Sequence, residues 1–85
     1  MELKPMKTVT IRYFAVLRER RGLAVEQKTT SCESVGDFVE TLIAEHRLGL
    51  PPALIRVAIE GEFVDPADPL QEGSELVLIP PVAGG

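Results

Sequence analysis

The sequence is poor in the residues that build most metal and redox centres. Of its 85 residues, one is a cysteine, one is a histidine and none is a tryptophan. A single cysteine, Cys32, excludes an internal disulfide, a zinc cluster and an iron–sulfur site held by several thiolates. His46 falls at the end of a helical apolar stripe, where packing or a contact with a helix C-terminus explains it. We therefore expect no metal and no bound cofactor.

Long apolar runs and a basic surface are also missing. The formal net charge is −4, which argues against nucleic-acid binding because phosphate neutralisation needs a basic surface. No apolar run approaches the ~20 residues of a membrane span, and the first residues lack the apolar core of a signal peptide. We expect a cytoplasmic protein without nucleic-acid or membrane partners. Positions 60–75 contain several acidic residues and no lysine or arginine. They form either a solvated surface or a face for a basic partner protein.

The first thirty residues show the patterns of two strands and a turn. Residues 8–13 alternate polar and apolar side chains, which predicts a half-buried strand. Residues 14–21 lose this alternation and predict a short helical turn that ends at Gly22. Residues 23–30 predict a second strand whose polarity is typical of a sheet edge.

The clearest helix begins after Ser34. Ser34 is a good N-cap, and Asp37, three residues later, suits the positive end of the helix dipole. Apolar residues then recur with the spacing of one buried face. They are Val35, Phe38, Val39, Leu42 and Ile43, with His46 at the end of the stripe. We expect Gly49 and the prolines after it to end the helix.

The second half of the chain returns to strands. Residues 55–60 predict a strand, and Glu60-Gly61 is a candidate tight turn into a short strand at Phe63-Val64. The last strand covers residues 76–79. Four consecutive apolar residues there suggest a strand covered on both faces, hence central or part of an interface.

One helix with one apolar stripe can pack on one face of a sheet, which predicts an α+β fold. In the simplest arrangement the first and last strands lie side by side at the centre. This topology matches the β-grasp (ubiquitin-like) fold, a mixed sheet packed on one main helix. We expect residues 1–85 to form one domain, with 1–6 a short N-terminal extension and 80–85 an extended C-terminal tail.

The chain closes on Pro80-Pro81-Val82-Ala83-Gly84-Gly85. The prolines lack backbone donors and fix φ, so they end sheet pairing and start an extended exit. Gly84 and Gly85 have no Cβ and can enter a channel too narrow for other residues. Residues 80–85 reach at most about 20 Å, enough to enter a neighbouring subunit's active site. The tail therefore offers the carboxylate of Gly85 as a chemical handle.

Three segments together resemble the small subunit of molybdopterin synthase (MoaD), within the MoaD/ThiS family of ubiquitin-like sulfur carriers. They are residues 9–19, the helix after Ser34 and residues 72–85, where the Pro-Pro-Val-Ala-Gly-Gly ending is the most specific part. The resemblance covers residues 7–85. Glu60-Gly61 stands where many relatives have an Asn-Gly turn. The resemblance implies a sulfur carrier that is not an enzyme on its own.

What the resemblance implies about chemistry centres on the C-terminus. In this family an E1-like adenylyltransferase (MoeB-like) uses ATP to adenylate the terminal carboxylate, here that of Gly85, with Gly84 before it. Sulfur from a donor then gives a thiocarboxylate. A large synthase subunit (MoaE-like) uses two such carriers in turn to build the dithiolene of molybdopterin. By this resemblance Gly84 and Gly85 are the expected catalytic residues.

A carrier also needs a docking face. An apolar sheet face that the helix leaves uncovered suits a complex, although ordinary core packing is the alternative for each residue. We hypothesise that such a face binds the large subunit in a heterotetramer. The candidate partner-binding residues are Phe14, Phe63, Val77, Ile79, Pro80, Pro81, Val82 and Ala83.

Two alternatives stay open from the sequence. A ThiS-like carrier for thiazole synthesis, or a relative that donates sulfur to cysteine synthesis or tRNA, would share the fold, the tail and the activation chemistry. A β-grasp binding module would have no terminal chemistry at all. Removing Gly84 and Gly85 separates the two classes, because only a carrier loses its activity.

Overall fold

Five strands and two α-helices form within residues 5–81, the part of the chain that the structure, a computed structural model, describes. They are β1 (Lys7–Tyr13), α1 (Ala15–Arg21), β2 (Val25–Thr30), α2 (Val35–His46), β3 (Arg56–Ile59), β4 (Glu62–Val64) and β5 (Glu75–Ile79), with a 3₁₀ turn at Pro52–Leu54 before β3. The predicted order of elements is confirmed. β2 begins two residues later than predicted, and it lies at a sheet edge as expected.

The last strand lies at the centre of the sheet. The strand order is β2-β1-β5-β3-β4, with β5 parallel to β1 and antiparallel to β3. The register places Ile11 beside Leu76 and Tyr13 beside Leu78. The β1–β2 and β3–β4 pairs are antiparallel. The mixed sheet, with the first and last strands side by side, is the predicted α+β arrangement.

The core lies between one face of this sheet and α2. On β5, Leu76 and Leu78 are fully buried, whereas Val77 and Ile79 are only half-buried. β5 is therefore central as predicted, but this chain covers only one of its faces. The buried apolar side chains are Val9, Ile11, Tyr13, Leu17, Val35, Phe38, Val39, Leu42, Leu48, Ile55, Val57, Leu70, Leu76 and Leu78.

α2 begins where the sequence predicts and ends earlier. The Ser34 side chain accepts a hydrogen bond from the Asp37 N–H at 3.2 Å, which confirms the N-cap. The helix ends at His46, and Arg47 takes a left-handed conformation with φ of 51°. This reversal turns Leu48 into the core, where it is fully buried. Burial of Leu48, rather than Gly49, thus determines the end of the helix.

The β3–β4 hairpin has the predicted two-residue turn. Glu60 and Gly61 both have positive φ, 53° and 81°, and Ile59 pairs with Glu62 across them. Two positive φ values in succession are typical of a type I′ hairpin, which usually takes Asn-Gly or Asp-Gly. None of the helices among the described residues is long and apolar enough to cross a membrane.

Candidate functional site

A groove of about 680 Å³ lies where β1 and β5 end. One wall comes from Phe14 and the start of α1, with Ala15, Val16 and Glu19. The other wall comes from the end of β5 and the residues after it, Val77, Ile79, Pro80 and Pro81. Because β1 and β5 are parallel neighbours, their C-terminal ends meet at the same edge of the sheet. The parallel pairing of β1 with β5 therefore brings the two walls of the groove together.

Most apolar side chains of this groove are at least partly exposed to solvent. Phe14 is 50% exposed, and Val77 and Ile79 are half-buried on the sheet face opposite α2. Side chains alternate between faces along a strand, so burying Leu76 and Leu78 under α2 places Val77 and Ile79 outside. The structure thus brings five of the predicted partner-binding residues together. They are Phe14, Val77, Ile79, Pro80 and Pro81.

Phe63 is a different case. It lies on edge strand β4 and pairs with Ala58, which pairs in turn with Val77. Two strand spacings separate Phe63 from Val77, about 10 Å, so Phe63 shares the outer face without lining the groove. It is 57% exposed, and the Arg56 guanidinium lies 4.0 Å from the centre of its ring. Phe63, Val77 and Ile79 therefore share the outer sheet face, but Phe63 lies apart from the groove that Val77 and Ile79 line with Phe14.

The residues after β5 mark where the tail sequence begins. β5 ends at Ile79, which pairs with Arg56 as the last register position. Pro80 is still buried and Pro81 is exposed, so packing against the domain continues one residue past the strand. The predicted site residues Val82, Ala83, Gly84 and Gly85 lie outside the described residues.

Two of the acidic residues of positions 60–75, Glu72 and Glu75, lie at the other end of β5. Glu75 starts this strand and pairs with Arg12 at 3.1 Å, with both side chains about half exposed. Just before it, the Glu72 carboxylate accepts a hydrogen bond from the Thr8 N–H at 3.0 Å, at the start of β1. Along β5 the acidic end and the groove end are about 13 Å apart. The acidic residues at the start of β5 therefore do not line the groove.

A polar cluster that the sequence analysis did not predict ties α1 to the sheet. Arg21 donates to both carboxylate oxygens of Glu26, at 2.8 Å and 2.7 Å. The Tyr13 hydroxyl donates to the same carboxylate at 2.6 Å. These hydrogen bonds, those of Arg21 above all, lower the pKa of Glu26 to about 2. Burial, followed by the Glu26 carboxylate, raises the pKa of Tyr13. Glu26 is therefore an anion at neutral pH, held by two hydrogen bonds from Arg21.

His46 and Cys32 show no catalytic arrangement. The His46 Nε2 lies 3.9 Å from a Glu26 oxygen and 3.7 Å from a Glu45 oxygen, without a hydrogen bond within residues 5–81. Burial first, and then the positive charges of Arg21 and Lys28, lower the pKa of His46. Cys32 is half-buried with its Sγ 3.8 Å from Thr41 Oγ1. No group of three or more potential metal ligands occurs among the described residues.

The strand order, with the last strand between the first and third and one main helix on a single face, defines a ubiquitin-like β-grasp protein. The model of the ThiS family matches residues 11–85, so the chain belongs to this family of ubiquitin-like sulfur carriers. No curated protein sequence matches the chain.

Solved structures share this fold. SAMP1 from Haloferax volcanii is 27% identical, with a TM-score of 0.75 over 92% of this chain and 99% of its own. A putative molybdopterin converting factor subunit 1 from Pyrococcus furiosus is 23% identical, with a TM-score of 0.73 over 89% and 99%. The complex of subunits 1 and 2 of the molybdopterin-converting factor from Helicobacter pylori matches at 23% identity, with a TM-score of 0.61 over 92% and 99%. The last two likenesses show the fold alone.

Proposed function

We propose that this protein is the sulfur-carrying small subunit of a molybdopterin synthase. The observation that carries the proposal is the apolar groove at the end of β5, from which the chain continues toward Gly84-Gly85. A partner bound in this groove would stand beside the start of the tail. Residues 80–85 could then reach up to about 20 Å into its active site. The groove serves for docking and the tail for chemistry.

The chemistry begins with a carboxylate that is a poor electrophile. The Gly85 carboxylate attacks the α-phosphate of ATP, pyrophosphate leaves, and an acyl-adenylate forms on the activating enzyme. Hydrosulfide from a sulfur donor then attacks the acyl carbon and AMP leaves, which gives the thiocarboxylate. If the donor is a persulfide, an acyl disulfide forms instead, and a thiol must reduce it to release the thiocarboxylate. ATP is thus used by the partner enzyme, and the carrier itself holds no cofactor. The carrier next donates its sulfur to a cyclic pyranopterin precursor.

Three partners follow from this sequence of steps. They are an E1-like adenylyltransferase (MoeB-like), a sulfur donor and a large synthase subunit (MoaE-like), the last in a heterotetramer with two carriers. A complex of subunit 1 with subunit 2 is known for the molybdopterin-converting factor of Helicobacter pylori, whose fold this chain shares. An exposed apolar groove of this kind supports such an assembly, because apolar patches that are open on a monomer commonly mark interaction sites.

The chemical part is tested by intact mass. The carrier is incubated with ATP, the activating enzyme and a sulfur source, and we expect a mass increase equal to exchanging one oxygen for sulfur at the C-terminus. A variant without Gly84 and Gly85 should fold normally and show no increase. The activating enzyme should come from the same organism and be shown to be active. If the complete carrier gains no mass with it, the protein is not a sulfur carrier.

The docking part is tested by co-purification with the large subunit. Ile79→Asp places a charge in the groove and should weaken binding by about 2 kcal/mol or more, the size of an interface hot spot. Val25→Asp is the matched control, because Val25 is 42% exposed on edge strand β2 and does not line the groove. Phe63→Asp then reports whether the interface spreads across the outer face. Normal binding by Ile79→Asp would contradict the docking assignment.

The second candidate function is a carrier of the same chemistry for another pathway. Thiazole synthesis, cysteine synthesis and tRNA thiolation would each use the same tail, and membership of the ThiS family is compatible with all of them. Complementation separates them: the molybdopterin assignment predicts rescue of a strain that lacks the small synthase subunit and no rescue of a thiazole auxotroph. The reverse result would move the proposal to thiazole synthesis. A plain binding module would keep its function without Gly84 and Gly85.

A further inference from the structure

The groove depends on a helix that is too short to be stable alone. α1 supplies Ala15, Val16 and Glu19 to one wall of the groove, yet it has only seven residues. Isolated helices of fewer than about 12 residues are marginal in water. Leu17 is the single buried side chain of α1. One apolar anchor does not fix both the position and the rotation of a helix, so further contacts must do so.

The first of these contacts is the ion pair between Arg21 and Glu26. Two parallel hydrogen bonds, at 2.8 Å and 2.7 Å, join the guanidinium to the carboxylate. The two side chains are only 22% and 14% exposed, so water screens this pair less than it screens a surface pair. The planar fork of an arginine fixes direction as well as distance. Arg21 therefore ties the end of α1 to β2 in one orientation.

The second contact fixes α1 from a different side. Arg20 donates from one of its terminal nitrogens to the Leu48 carbonyl at 2.7 Å, in the segment that follows α2. A Cβ built on Gly49 would lie 2.5 Å from that same nitrogen. Gly49 also has a φ of 78°. The guanidinium thus lies in space that only a glycine leaves open.

Neither arginine lines the groove. We propose that Arg20 and Arg21 are positioning residues that hold α1 as a fixed wall of the groove and thereby set its affinity for the partner protein. The inference rests on the proposed function, because it takes the groove to be the docking site. Arg20 and Arg21 join the wall to two different parts of the fold, so losing either one leaves α1 free to shift while β1 and β5 stay paired.

Amide hydrogen exchange on the whole chain tests directly whether Arg20 and Arg21 hold α1 in place. In Arg20→Ala and in Arg21→Ala, the α1 amides should exchange about tenfold faster or more, the size expected for losing a hydrogen bond to a charged group. The β1 and β5 amides should accelerate less than the α1 amides, and by no more than the loss of global stability that urea denaturation of the same variant measures. Arg18→Ala is the matched control, since the exposed Arg18 side chain makes no hydrogen bond or ion pair within residues 5–81. Unchanged α1 exchange in both arginine variants would overturn the inference.

Gly49 supplies a second and independent test. Gly49→Ala should loosen α1 as Arg20→Ala does, because the added Cβ takes the place of the guanidinium. Gly73→Ala is its control, with an equally positive φ of 82° and no atom within 4 Å of the new Cβ. Adding Gly49→Ala to Arg20→Ala should bring no further increase in α1 exchange, since both remove the same contact. Additive effects would show that Gly49 and Arg20 act separately.

Binding to the purified molybdopterin synthase large subunit of the same organism supplies the functional readout. Arg20→Ala and Arg21→Ala should weaken binding by about five- to thirtyfold, and Arg21→Lys should recover part of it. Lys28→Ala, which removes the Lys28–Glu45 ion pair away from α1, should bind normally. Normal binding by variants whose α1 is loosened would overturn the link to affinity. If the unmodified protein itself does not bind, the proposed function fails, while the exchange result still decides whether the arginines hold α1.

Discussion

The charge of Glu26 should dominate the stability of this protein in acid. Its carboxylate accepts hydrogen bonds from Arg21 and from Tyr13, which lowers its pKa from an ordinary 4.5 to about 2. A group whose pKa falls on folding stabilises the native state above its unfolded pKa. That contribution is lost as the pH drops through the folded pKa. The stabilisation by Glu26 should therefore be lost as the pH falls from about 4.5 to about 2.

The magnitude follows from the size of the pKa change. A depression of about 2.5, at about 1.4 kcal/mol for each unit of pKa, corresponds to about 3.5 kcal/mol. Water still reaches part of the pair, since the Arg21 side chain is 22% exposed and that of Glu26 14%. Screening reduces the contribution to about 2 kcal/mol at neutral pH. Near pH 2.5 less than about 1 kcal/mol should remain.

Urea denaturation of the unmodified protein and of Glu26→Gln at several pH values measures this contribution. We expect Glu26→Gln to be less stable by about 2 kcal/mol at pH 7 and nearly equal to the unmodified protein at pH 2.5. Glu45→Gln is the control, because the Glu45 side chain is 47% exposed beside Lys28 and should contribute less than about 1 kcal/mol. A difference for Glu26→Gln that is absent at pH 7, or as large at pH 2.5, would refute the reasoning.

Two further predictions concern backbone geometry and are checked by the same denaturation assay. Alanine favours helices, but Gly36→Ala should destabilise the protein by about 1–3 kcal/mol. The new Cβ would lie 2.9 Å from the Pro66 Cβ and 3.1 Å from the Pro66 carbonyl oxygen. Equal or higher stability would contradict this close contact. Ala15 has a φ of 51°, which costs a non-glycine residue about 1–2 kcal/mol. Ala15→Gly should therefore leave stability unchanged or raise it by up to about 1 kcal/mol, whereas Ala44→Gly in α2 should cost about 1 kcal/mol. Equal losses in both variants would show that Ala15 is not strained.

The sequence predicts much of this fold because its strongest signals are local. Ser34 caps α2, and the stripe through Phe38 and Leu42 faces the core. Glu60-Gly61 makes the predicted turn. The end of α2 is missed because it depends on where Leu48 packs, and a helix breaker in the sequence does not report that. Tertiary packing decides such boundaries more often than local propensity does.

The groove is predictable only in part. The alternation along β5 assigns Val77 and Ile79 to one face, and burying Leu78 decides that this face is the outer one. The separation of Phe63 from the groove depends on strand order, which places β3 between β4 and β5. The contact of Arg20 with Leu48 spans 28 positions of the chain. Because no periodic pattern connects residues so far apart, this contact of α1 could not be derived from the sequence.

The central position of β5 has a consequence for biosynthesis. Without Glu75–Ile79 the sheet divides into a β1–β2 hairpin and a β3–β4 hairpin, and isolated hairpins are at best marginally stable in water. During translation, the residues before Glu75 therefore cannot assemble the domain. Prematurely terminated chains would stay unfolded and be open to proteolysis. Only chains that are translated past Ile79 can therefore fold and form the docking groove.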